Sequence, residues 1–224
     1  MINHVSPLGY FAEAMAEYTT TTQQVDDLIG EMRKAKEAAL DVERKLAETL
    51  SDFGTSSKEP KDSEMIDLLK EKYDMQEHPE GGFFKETYRG EERISSSYGE
   101  RNSSTAIYFL ITPGSVSRLH RIRADEVWHF YLGGPMTIVE LVDGAARCTT
   151  LGRDVLNDEL VQYTVRAGTW FGSFPNEGTA FSFVGCTVAP GFEFQDFELG
   201  SRAKLLEGFP DAKDLVLKLT EGLP

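Results

Sequence analysis

Between Val25 and Phe53, apolar or small residues recur at alternating steps of three and four: Val25, Leu28, Met32, Ala35, Ala39, Val42, Leu46, Thr49 and Phe53. This heptad spacing predicts a long helix with a narrow apolar seam. Thr21 and Gln24 have the spacing of a capping box at its start, and Gly54 followed by a polar run ends it. Gly30 is its interior helix breaker, costing up to ~1 kcal/mol relative to Ala. A narrow seam on a polar helix needs a partner, either a second copy or the flank of the domain that follows. The residues before "TTTT" read as a loosely docked arm. Residues 1–60 are therefore expected to be an arm and heptad helix, and residues 61–224 a separate domain.

A short helix is expected over Glu64–Tyr73, with Ser63 as N-cap and Ile66, Leu69 and Tyr73 on one face. "HPEGG" reads as a turn, and His78 and Glu80 are assigned to it, with a place for Glu80 at the barrel mouth as the alternative. The period then drops to two. "FFKETYR", "STAIYFLI", "VSRLHRI", "EVWHFYL", "MTIVEL", "ARCTTL", "VQYTV", "TWFGSF", "TAFSFVGCTV" and "EFQDFEL" are strand-like, and turn signals such as "TPGS", "LGGP", "VDGA" and "PNEG" separate many of them. Short strands with no long helix between them exclude a doubly wound parallel sheet and predict a mainly β antiparallel sandwich or barrel. "RAKLLEGFP" and "PDAKDLVLKLT" return to helical spacing and predict two short helices on its outside.

A formal net charge of −14 with no basic patch argues against nucleic-acid and anionic-membrane partners. No apolar run approaches the ~20 residues that span a bilayer, and no secretory signal pattern opens the chain, so a cytoplasmic location is expected. Cys148 and Cys186 lack CxxC spacing and are expected to be buried thiols.

The candidate chemistry lies in "SRLHRIRADEVWHFYLGG". Gly114 is followed by five residues and His120, and then by Ile122, Glu126 and Gly133. This spacing resembles the first motif of the cupin superfamily, with Ile122 where a second histidine stands. In "VRAGTWFGSF", which matches the second motif, Gly168 suits the turn, but Arg166 replaces the proline and Phe171 the third histidine. Over residues 63–210, "HPEGGFFKETYR", "SRLHRIRADEVWHFYLG", "VRAGTWF" and "VGCTVAPGFEFQDFEL" look like successive blocks of one small cupin family without an assigned function. Its members are RmlC-like jelly rolls that commonly form homodimers. The resemblance implies a double-stranded β-helix and a homodimer, and it does not reach the N-terminal helix.

A cupin metal site normally takes three imidazoles and a carboxylate, and this chain keeps only His120 and Glu126 of that set. Strand parity puts His129 on the face opposite Glu126, so only a bulge would bring it to a metal. No metal or other cofactor is expected. Similarity to RmlC-type epimerases implies another use of the same residues. His120, in "RLH", would be a general base. Glu126 would orient it or act as an acid, and Arg118, of matching parity, would hold an anionic substrate group. Trp170 and Phe171 would wall a small-molecule pocket, with His129 joining the substrate contacts if it reaches them. A tyrosine acid would come from Tyr88, Tyr108 or Tyr163. Gln195, Asp196 and Glu198 read as a solvated edge strand.

The expected function is metal-independent isomerase or epimerase chemistry on a small polar, carbohydrate-like metabolite. The alternatives are a non-catalytic small-ligand-binding cupin, in which His120 and Glu126 are a hydrogen-bonded pair, and a metal-dependent dioxygenase or decarboxylase.

Overall fold

The computed structural model describes residues 29–45 and 61–222. The chain divides into two units, Met1–Glu59 and Pro60–Pro224. In the first, residues 29–45 form a helix, α1, on which the seam residues Met32, Ala35, Ala39 and Val42 are all exposed, Met32 at 71%. Val25, Leu28, Leu46, Thr49, Phe53, the Thr21–Gln24 cap, Gly54 and the expected arm lie outside the described residues.

The second unit opens with α2 (Asp62–Lys72). It starts before the expected Glu64 because the Glu64 carboxylate accepts the backbone N–H of Lys61 at 3.1 Å, which makes Lys61 rather than Ser63 the N-cap. Thirteen strands follow: β1 (Gln76–Glu77), β2 (Phe83–Arg89), β3 (Arg93–Ser96), β4 (Gly99–Asn102), β5 (Thr105–Ile111), β6 (Ser117–Arg121), β7 (Asp125–Gly133), β8 (Met136–Val142), β9 (Ala145–Leu151), β10 (Gln162–Val165), β11 (Trp170–Pro175), β12 (Ser182–Ala189) and β13 (Glu198–Leu199). Two short helices, α3 (Arg202–Gly208) and α4 (Lys213–Leu219), close the unit.

The strands pair antiparallel into a six-stranded sheet of order β1-β2-β5-β12-β7-β10, a five-stranded sheet of order β13-β6-β11-β8-β9, and the hairpin β3-β4. This is the mainly β jelly roll that the sequence predicts. The main core lies between the two sheets. Phe109, Ile111, Trp128 and Val184 enter from one, and Met136, Ile138, Leu151 and Phe171 from the other. Each fully buried large apolar side chain contributes about 1.5–3 kcal/mol. The outer faces are covered as well. Leu110 and Phe183 pack under Ile66 and Leu69 of α2 and its C-cap Tyr73, while Leu119, Val139 and Leu141 pack under Leu205, Val216 and Leu219 of α3 and α4. Strands buried on both faces explain why several of them read as continuous apolar runs.

Three local features differ from expectation. Cys148 is exposed, on the outward face of β9, and only Cys186 is buried. The polar hairpin β3-β4 has too few apolar residues to have been read as strands. The "EFQDFEL" segment holds a 3-10 turn over Phe194–Asp196 before β13 begins. Within that turn Asp196 is not a solvated acid. It is buried and bonded twice to Arg101 of β4, Oδ2 accepting from Nε at 2.6 Å and Oδ1 from Nη2 at 2.7 Å.

Candidate functional site

A bulge in β6 determines which side chains reach the interior. Opposite β11, His120 pairs with Phe171 and Ser117 with Ser173, so three steps of β6 face two of β11. The extra residue reverses the alternation, and Ser117 and His120 both face inward. Gly172 lies against this bulge: a Cβ there would sit 2.7 Å from the Ser117 carbonyl oxygen, so only glycine allows the two strands to approach.

The same bulge receives the "HPEGG" turn. The Gly81 N–H donates to the His78 carbonyl and the His78 N–H to the Gly82 carbonyl, while the Arg118 N–H donates to the Glu80 carbonyl at 2.8 Å. Gly81 (φ 108°) and Gly82 (φ 70°) have backbone conformations that suit glycine, and a Cβ on Gly81 would overlap the Val116 carbonyl oxygen at 2.2 Å. The double glycine thus presses Glu80 against β6. Glu80 Oε1 accepts from the Ser117 hydroxyl at 2.8 Å, and Oε2 lies 3.2 Å from His120 Nε2 and 3.3 Å from His78 Nδ1.

His120, only 2% exposed, has its Nδ1 2.7 Å from the Arg118 carbonyl oxygen. A carbonyl only accepts, so Nδ1 carries the proton and Nε2 is left to exchange one with Glu80. Phe171 holds the ring in place from the core side, centroid to centroid 4.1 Å. Burial lowers the His120 pKa, against the opposing pull of Glu80. Burial alone would raise the Glu80 carboxyl, but the imidazoles of His120 and His78 and the bonds from His78 and Ser117 outweigh it and hold the carboxyl below its usual range.

Glu126 enters from β7 in the facing sheet, beside Cys186 of β12. Burial, then the charge of Glu80, push its carboxyl up to about 8, with the Cys186 hydrogen bond opposing. Burial and Glu126 push the Cys186 thiol well above its ordinary value, so at neutral pH it is a thiol and not a nucleophile. These groups line one cavity of about 70 Å³, which with its open mouth comes to about 660 Å³ of space free of protein atoms. Ile122 and Val188 supply apolar wall, and Phe84, Phe192, Phe194 and Phe197 also line the cavity, Phe194 exposed at its rim.

Of the residues expected at the site, His120 and Glu126 line this cavity together, but Glu80, not Glu126, is the carboxylate bonded to His120. Arg118 does not line it. Once the bulge breaks parity, its guanidinium turns outward to the carbonyls of Glu221 (3.0 Å) and Pro79 (3.2 Å). Trp170 lies on the outer face of its sheet, under α3 and α4, with the Arg121 guanidinium 4.6 Å from its ring centroid. Phe171 supports His120 from the core instead of walling the cavity. Between Asp125 and Phe130, β7 keeps its alternation, so His129 points away from the cavity, to Thr187 Oγ1 at 3.1 Å and Gln162 Nε2 at 3.0 Å. None of the three tyrosines considered lines the cavity. Tyr88 is exposed, Tyr108 packs on Phe183 and Tyr73, and Tyr163 donates to Glu140. His78 was missed in the sequence, and Glu80 was favoured as a turn residue over a place at the barrel mouth; both line the cavity, and the signal that could have found them is the double glycine, which marks a backbone pressed against another strand.

The donor set does not fit a cupin metal. Ile122 and Phe171, at two of the ligand positions, carry no donor atom. Among the described residues, no group of three or more His, Cys, Asp or Glu side chains is arranged to hold a metal ion.

A jelly roll with this site at its centre is a cupin domain, and the family described as "Cupin superfamily (DUF985)" matches residues 67–200. The chain belongs to that family. It is 32% identical over 155 residues to the Uncharacterized protein YML079W of Saccharomyces cerevisiae, covering 62% of this chain and 74% of the yeast protein. Among solved structures it is similar to protein SO0799 from Shewanella oneidensis (40% identity, TM-score 0.64, 68% of this chain and 95% of that one). It is also similar to a hypothetical protein from Leishmania major (32% identity, TM-score 0.64, 68% and 97%). Among the described residues no helix is long and apolar enough to cross a membrane.

Proposed function

We propose that this cavity catalyses proton transfer at a carbon acid of a small polar molecule, the chemistry of an isomerase or epimerase. The observation that carries this reading is that His120 and two buried carboxyls line one cavity, Glu80 3.2 Å from His120 Nε2 and Glu126 on the facing wall; in keeping with it, Glu80 is held below its ordinary range and Glu126 is pushed up to about 8. Environments that split two acids in this way set up a base and an acid at one pH. A C–H bond next to a carbonyl breaks and its proton goes to His120 Nε2, where the Glu80 carboxylate stabilises the imidazolium. The Glu126 O–H delivers a proton to the other face of the same carbon. Both groups exchange with solvent when the product leaves. Ser117 and the Arg118 carbonyl are positioning groups: the first holds Glu80, the second fixes the His120 tautomer.

The test is deuterium uptake from heavy water into small carbonyl metabolites. The full chain is expected to exchange the carbon-bound hydrogen of its substrate, and His120→Ala to lose that exchange by about 10²–10⁴-fold. A ligand bound by the wild-type chain without exchange would overturn the catalytic reading and leave a small-ligand-binding cupin.

A further inference from the structure

The way into the cavity has an uncommon composition. Its aromatic rings stand edge to face: Phe192 to Phe194 at 5.2 Å between centroids and Phe192 to Phe197 at 6.4 Å. Phe194 stacks on His78 at 5.9 Å and yet is 54% exposed, a large apolar ring left open to solvent at the rim. The carboxylates Glu80, Glu86 and Glu193 line the cavity with these rings, against one guanidinium, that of Arg89.

Arg89 is the one guanidinium among the described residues that line this cavity, and its donors are already committed. Nε and Nη2 hold the two oxygens of Glu86 at 2.9 and 2.8 Å. Nη1 donates to Glu193 Oε1 at 2.8 Å and to Asn102 Oδ1 at 3.1 Å, and Nη2 also donates to the Phe192 carbonyl at 3.2 Å. A planar guanidinium has five N–H bonds, and these contacts use all of them. Arg89 therefore offers an anionic ligand no free donor, and three lining carboxylates, Glu80, Glu86 and Glu193, would oppose it. A ring face attracts a cation through its quadrupole, more strongly once water is excluded, and neighbouring carboxylates add to that attraction.

We infer that the ligand of this cavity is a small organic ammonium ion, its cationic head held among Phe192, Phe194 and Phe197 beside Glu193. This rests on the reading of the cavity as a substrate site, but it names a charge class that the proton chemistry alone does not require. It also replaces the anionic substrate group expected from Arg118.

The experiment is titration calorimetry of the full chain, at one ionic strength, with three probes: choline, its neutral isostere 3,3-dimethylbutan-1-ol, and acetate. Choline is expected to bind, the alcohol about tenfold more weakly, and acetate not at all. Phe194→Leu keeps an apolar side chain at an exposed position and removes the ring, so it is expected to weaken choline severalfold without lowering the melting temperature. His120→Ala is expected to keep choline binding while losing deuterium exchange, which separates this inference from the catalytic one. The inference is overturned if the alcohol binds as well as choline, if acetate binds in its place, if choline fails to bind at millimolar concentration, or if Phe194→Leu binds choline like the wild type.

Discussion

Glu80→Gln is expected to lower the proton-exchange rate by about 10²–10⁴-fold while leaving the domain folded. The carboxylate is the sole charged partner of His120 Nε2 among the described contacts, at 3.2 Å. Without it, the imidazolium formed on proton abstraction would be a buried, unpaired charge. Glutamine has the same length and can still accept from Ser117 and donate to Nε2, so the turn and β6 stay in register. If Glu80→Gln exchanged at the wild-type rate, the base would have to be another group. A matched circular dichroism spectrum and melting temperature separate the loss from misfolding.

Asp196→Ala is expected to have the largest effect on stability, lowering the melting temperature by about 10 °C. Asp196 is the buried bidentate partner of Arg101, with the Arg123 Nε at 3.8 Å, and it ties the hairpin β3-β4 to the turn that carries Phe194. Removing it leaves the Arg101 guanidinium the Glu100 carbonyl, at 2.8 Å, and the Tyr98 ring, 5.2 Å away at its centroid, but no carboxylate partner among the described contacts. Because the same turn forms the aromatic rim, choline affinity is expected to fall together with stability. A melting curve unchanged from the wild type would show that the pair does not hold the hairpin.

The fold was legible because period-two patterning and turn residues act locally. Strands such as Phe83–Arg89 and Met136–Val142 lie where their alternation or β-branched content put them. His120 and Glu126 line one cavity because the motif's spacing puts them on consecutive strands, β6 and β7, of the two facing sheets. Most of what failed depended on long-range contacts. Arg118 was paired with His120 by parity, but the bulge opposite Phe171 and Ser173 reverses the alternation, and nothing near Arg118 in sequence announces it. Gly172, which permits the bulge, lies more than fifty residues away. Trp170 and Phe171 were placed on one pocket although neighbouring strand residues face opposite ways. Glu80 was given to a turn, correctly as backbone, but its side chain meets Ser117 only after the chain has passed through β2 to β5. Asp196 looked solvated because its partner Arg101 lies 95 positions away.

The central claim is that the cavity holds a neutral acid, Glu126, opposite the ionised Glu80. An acid whose pKa is raised on folding, from 4.5 to about 8, contributes stability that is complete below 4.5 and is lost as the pH rises through 8. The same titration removes the catalytic proton, so exchange activity is expected to fall above about pH 8. The most direct measurement is the carbon-13 titration of glutamate side-chain carboxyls in the full chain, with the Glu126 signal assigned by its disappearance in Glu126→Gln. A midpoint near 8 is the result this account predicts. A midpoint at or below the ordinary value of 4.5 would mean that Glu126 is ionised at neutral pH, and would contradict its role as the acid.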